Sequence, residues 1–191
     1  MGSGYLANPA IFLIRMVFEF YILLIMLRFL LQLVKADFYN PISQFIVKAT
    51  SPALIYLRRI IPGLKGIDMA SVVLMWVLKS LELILIIALI GLPASIMVFA
   101  WAVPGLIDLV FDVFIYSILI QVIMSWVNPG TYNPAIALIS SLTEPVLLPA
   151  RRILPPMGGL DLSPMFAMIG LYVLRMLLLP PIQQLVGIPI K

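Results

Sequence analysis

The sequence predicts an all-α membrane protein with four transmembrane helices in two tandem parallel repeats, each with a short interfacial or re-entrant helical segment between its spans. Three observations carry this. Hydrophobic residues make up 63% of the 191 positions and charged residues only 10%, too few charges for a surface that faces water. Apolar stretches recur at the length of about 20 residues that a helix needs to cross a bilayer. The chain also repeats itself at a fixed offset, a pattern that sets architecture before any local reading.

Taken in order, the first span is expected over about 9–34 and the second over about 69–92, with residues 1–92 forming the first repeat. No charged leader with a small-residue cleavage site opens the chain, so the first apolar run is expected as a retained span. Residues 93–103 are uncharged and read as an apolar interfacial connector, with Phe99 and Trp101 suited to the headgroup level and Pro104-Gly105 marking a break. A kinked third helix starting near Ala94 is the alternative. The second repeat, 104–191, holds spans at about 104–127 and 162–180, the last expected to end or kink at Pro180-Pro181.

The repeat is exposed by a gapless shift of 93 residues, which lays Tyr39-Asn40-Pro41 on Tyr132-Asn133-Pro134, Thr50 on Thr143, Pro52 on Pro145, Arg58-Arg59-Ile60 on Arg151-Arg152-Ile153 and Asp68 on Asp161. Each copy has two crossings, so both enter the membrane in the same direction and equivalent residues lie at equal depth. Lys35, Lys48, Arg58, Arg59 and Lys65 follow the first span, Arg151 and Arg152 follow the third, and the other side has only Lys191. The positive-inside bias therefore puts both repeat loops in the cytoplasm and both termini outside.

Within the loops, Asn40 and Asn133 are placed to cap helices whose first residues are Pro41 and Pro134, where a missing N–H costs nothing. Ile42, Phe45, Ile46 and Ala49 share one helical face, as do Ala135, Leu138, Ile139 and Leu142. Ser51-Pro52 and Glu144-Pro145 read as starts of a second short helix. The Arg pairs serve either as anchors on anionic headgroups or as partners of Asp68 and Asp161, which would fold each loop over the helix ends.

Charges inside the spans form the other candidate set: Arg15, Glu19 and Arg28, then Lys79 and Glu82, then Asp108 and Asp112, then Arg175. A charge at the centre of a membrane helix costs roughly 2.5–3.5 kcal/mol, so these must be paired, hydrated, neutralised or near an interface. Arg15 and Glu19 can bond along one face, as can Lys79 and Glu82. The shift sets Arg15 against Asp108, Glu19 against Asp112 and Glu82 against Arg175, which predicts ion pairs across the repeats. These residues form either a structural network or an ion or proton path.

With no Cys and no His, thiolate and imidazole chemistry is absent, so no enzyme, cofactor or metal site is expected. The formal charge of +4 is spread among apolar runs and points to lipid headgroups, with no nucleic-acid partner expected. A second copy or another membrane protein stays open as a protein partner.

The doubled pattern of Tyr-Asn-Pro, Arg-Arg-Ile-x-Pro and Gly-x-Asp resembles the YggT (YlmG) family of small membrane proteins over nearly the whole chain. The copies differ at Gly63-Leu64-Lys65-Gly66 against Pro156-Met157-Gly158-Gly159. The resemblance implies a bacterial inner-membrane location and a link to osmotic or salt-stress tolerance. It also implies ties to cell division, and in plastid relatives to cytochrome b6 maturation or nucleoid distribution. It brings no agreed active site.

Overall fold

The computed structural model describes residues 3–64, 66–93, 95–127, 133–154 and 161–188. Lys65, Tyr132 and the 155–160 part of the second loop lie outside them. Six helices follow in order: α1 (Ser3–Leu33), α2 (Pro41–Ile60), α3 (Met69–Leu89), α4 (Val98–Val127), α5 (Pro134–Ile153) and α6 (Ser163–Leu185). Four are long and apolar enough to cross a membrane, namely Asn8–Leu33 of α1 and the whole of α3, α4 and α6. They carry apolar side chains outward, Phe12, Val17, Phe20, Met176 and Leu177 among them, a surface suited to lipid and not to water.

Within each copy the spans pack as a pair, α1 on α3 and α4 on α6, and α3 against α4 joins the copies. The loop helices lean on the first span of their own repeat, α2 on α1 and α5 on α4. Their apolar faces make this possible: Ile46 and Leu54 of α2, with Leu138 and Leu142 of α5, are buried in one cluster with Ile22, Ile25 and Met26 of α1. A smaller cluster in the second copy joins Ile118, Leu147, Ala150 and Ala167. The loop helices are therefore docked amphipathic elements, their polar faces left outside.

Helix ends follow local chemistry. The side chains of Asn40 and Asn133 accept from Ile42 N at 2.9 Å and Ala135 N at 2.8 Å, satisfying donors that the first turn leaves free. α3 closes with Gly91 at φ 73°, its N–H on the Ala88 carbonyl and that of Leu92 on Ile87, the paired bonds of a left-handed helix stop.

Three expectations need correction. Each loop segment is one helix of 20 residues, not two short ones, and it runs through Pro52 in α2 and through Pro145 and Pro149 in α5. Just before Pro52, side chains bond back onto the helix: Thr50 donates to the Ile46 carbonyl at 2.7 Å and Ser51 to that of Val47 at 2.6 Å. Residues 98–103 are the opening turns of α4, which passes through Pro104, so the connector is shorter than expected. α6 likewise continues through Pro180-Pro181 to Leu185, since a membrane helix tolerates prolines that would break one in water.

Candidate functional site

At the end of the bundle where the loop helices dock, Arg58 of α2 donates to Asp68, the residue before α3, at 2.5 Å, and Ser71 donates to the same oxygen at 2.6 Å. Burial pushes the Asp68 carboxyl up, but the bonds from Arg58 and Ser71 outweigh it and leave it below its ordinary value. The second copy repeats the device more loosely. Arg151 lies 3.3 Å from both Asp161 and Glu144, and Asp161 also accepts from Ser163 N at 2.9 Å. Burial is again opposed by these bonds, so the Asp161 carboxyl also sits low. The first Arg of each pair thus meets its Asp, while Arg59 and Arg152 remain exposed.

A depressed carboxylate stabilises the fold at pH above its unfolded value and loses that contribution as pH falls through the folded one. Asp68→Asn should therefore lower stability by about 1–2 kcal/mol near neutral pH, where a charged hydrogen bond is lost. Thermal midpoints of the variant and the native chain should converge as pH falls through the lowered folded-state value of the carboxyl. A gap that persists undiminished in acid would show that charge is not what Asp68 supplies.

The two loop helices also meet each other. Asn40 Nδ2 donates to the Pro134 carbonyl at 2.7 Å, so a residue of the first Tyr-Asn-Pro motif grips the second. Tyr39 stands almost fully exposed beside it.

Sequence reasoning missed a third repeated device. Arg28 of α1, only 6% exposed, reaches α2 just before Pro52, donating to Thr50 Oγ1 at 2.8 Å, Ser51 Oγ at 3.1 Å and the Val47 carbonyl at 3.2 Å. The equivalent of Arg28 is Gln121, whose side-chain oxygen accepts from Thr143, the equivalent of Thr50. The signal was available: Thr50 and Thr143 match under the shift, so a partner at a matched position on the preceding span could have been sought.

Halfway along the spans the charges are paired within each repeat. Lys79 of α3 lies 2.8 Å from Glu82 and 3.4 Å from Glu19 of α1, while Arg175 of α6 lies 2.6 Å from Asp108 and 2.8 Å from Asp112 of α4. The expected Lys79–Glu82 pair is present. Two expectations fail: among the described residues no ion pair crosses the repeats, and Glu19 takes Lys79 while Arg15 on the same helix is exposed. The reason is packing, since α1 lies along α3 and a long ammonium stem from α3 bridges to it.

Between the two sets lies a cavity of about 210 Å³ lined by Glu19, Lys79, Gly105, Asp108 and Asp112 with apolar neighbours. Glu19 and Asp112 are repeat equivalents that share this one cavity. Gly105 admits the Lys79 stem, for a Cβ there would stand 3.2 Å from Lys79 Cε. Among the described residues no group of three or more acidic side chains is arranged to hold a metal ion.

The CCB3/YggT family pattern matches residues 7–89 and, a second time, residues 100–182. A protein of Pseudomonas aeruginosa is 44% identical over 187 residues, covering 96% of this chain and 95% of its own. One of Vibrio alginolyticus is 44% identical over 168 residues, 86% of this chain and 90% of its own. Protein YggT of Escherichia coli (strain K12) is 37% identical over 172 residues, 88% of each chain. No solved structure matches the chain.

Proposed function

The chain belongs to the CCB3/YggT family, and from that premise we propose that it is a non-enzymatic inner-membrane protein whose midspan cavity passes protons or hydrated cations in ion or osmotic homeostasis. The observation that carries this reading is an imbalance of charge. Among the described residues Glu19, Glu82, Asp108 and Asp112 form ion pairs only with Lys79 and Arg175, and counting Arg15, which acts on Glu82 at longer range, four acids face three bases. In a low-dielectric interior a net negative charge draws in a proton or a cation, and intramembrane carboxylates beside a cavity are the usual lining of such paths. The family resemblance to proteins tied to osmotic and salt stress agrees with it.

Liposomes holding the purified chain should dissipate an imposed proton or alkali-cation gradient at least about tenfold faster than protein-free liposomes, an extra barrier-crossing route lowering the effective barrier by roughly 1.4 kcal/mol or more. Equal rates would remove the reading. A second reading, a scaffold that docks a partner on the loop helices, is favoured by the Asn40–Pro134 bond, which ties α2 and α5 into one ordered platform. Absent flux together with a stably co-purifying membrane protein would support it.

Either reading places the Arg pairs in the cytoplasm and both termini outside, following the Lys and Arg bias. Since the native chain has no Cys, a single Lys48→Cys or Arg59→Cys variant reports the side cleanly. An impermeant maleimide added to intact spheroplasts should leave both unlabelled until the membrane is opened. Labelling from outside would reverse the orientation.

A further inference from the structure

The two copies differ where Gln121 replaces Arg28. In the first copy the guanidinium fills the space between α1 and α2 and spends its donors on Thr50, Val47 and Ser51. In the second, the shorter Gln121 turns to Thr143 and lines a cavity of about 610 Å³ between α4, α5 and α6, where the first copy has a smaller one of about 360 Å³ beside Arg58 and Asp68 that Arg28 does not line. Its inner wall is apolar, with Ile118, Leu147 and Met168 on three helices, and its mouth carries Arg151, Asp161 and Trp126. The mouth lies where α4 ends at Val127 and α6 begins at Ser163, the level at which headgroups meet a span, and Trp126 is 78% exposed there as interface tryptophans are.

We propose that this cavity binds one zwitterionic phospholipid, with an acyl chain against the apolar wall, the phosphate at Arg151 and the ammonium at Asp161 and Glu144. The charge pattern selects the headgroup. Arg151 is held at 3.3 Å by two carboxylates, whereas its counterpart Arg58 is held at 2.5 Å by Asp68, and Glu144 stands where the first copy has Ser51. A purely anionic headgroup would meet both carboxylates; an uncharged one would offer neither an acceptor to Arg151 nor a cation to the two acids. A headgroup with phosphate and ammonium answers both. The site is separate from the midspan cavity and does not rest on ion passage.

The test uses the purified full-length chain in detergent, titrated with dioleoyl phosphatidylethanolamine or dioleoyl phosphatidylglycerol and read by native mass spectrometry. One phosphatidylethanolamine per chain should saturate at a concentration at least about tenfold below phosphatidylglycerol. Gln121→Arg should narrow the cavity with a longer side chain, since Thr143 and Glu144 already stand where a guanidinium can use them, and should weaken retention at least about tenfold. Met165→Trp, at a half-exposed position on the cavity wall, should do the same without touching the core, and decides the matter alone if Gln121→Arg does not fold. Equal or stronger binding of phosphatidylglycerol overturns the headgroup assignment. Undiminished retention in the folded variants overturns the site.

Discussion

Replacing Lys79 with methionine is expected to lower the thermal midpoint of the detergent-solubilised protein by on the order of 10 °C, the largest effect anticipated for any single charge in the spans. Glu82 is 1% exposed, and the Lys79 ammonium lies within 2.9 Å of both its carboxylate oxygens. Methionine keeps the stem that packs beside Gly105 but removes the charge, leaving a buried carboxylate alone. Breaking a buried pair on one side costs about 3–5 kcal/mol, and each kcal/mol moves the midpoint of a chain this size by roughly 2–4 °C. Because the loss comes from the orphaned partner, Lys79→Met with Glu82→Gln should recover most of it. Tryptophan fluorescence during heating can follow both proteins. A single variant within about 2 °C of the native chain would mean Glu82 does not depend on Lys79.

That dependence was partly legible in the sequence, because residues three apart on a helix face each other whatever surrounds them. The caps at Asn40 and Asn133 and the pairing of Arg58 with Asp68 were legible for a related reason: they are local, and the second copy states them again. What could not be read was the choice among equivalent partners at one depth. The 93-residue shift says that Glu19 and Asp112 are level, not which base reaches each, and the answer turned on α1 lying along α3. The prolines misled in the other direction. Pro52 and Pro180 carry a penalty of about 3 kcal/mol in a water-exposed helix, yet α2 and α6 run through them, and the α2 segment before Pro52 is held by Arg28, which arrives from another helix. The cavity beside Gln121 was equally hidden, since a cavity is a property of packing and not of any one residue.

Asp112→Asn separates a structural network from a conducting one, because the structure makes its two effects diverge. Arg175 holds Asp108 at 2.6 Å as well as Asp112 at 2.8 Å, so losing one acid does not orphan the base, and Asp112 is itself 38% exposed to the cavity side. Because Arg175 keeps a carboxylate partner, the stability cost should stay well below the roughly 3–5 kcal/mol of orphaning a buried charge. Asparagine matches the carboxylate in size but can neither take up a proton nor carry the negative charge that attracts a cation. If the cavity passes either, liposome flux should fall at least about tenfold while the thermal midpoint moves by only a few degrees. Glu19→Gln, the equivalent change in the first copy, should behave alike, since Lys79 keeps Glu82. Flux that survives both changes in a folded protein would leave these carboxylates as packing elements, whereas collapse of the fold on Asp112→Asn alone would show that Asp108 cannot hold Arg175 by itself.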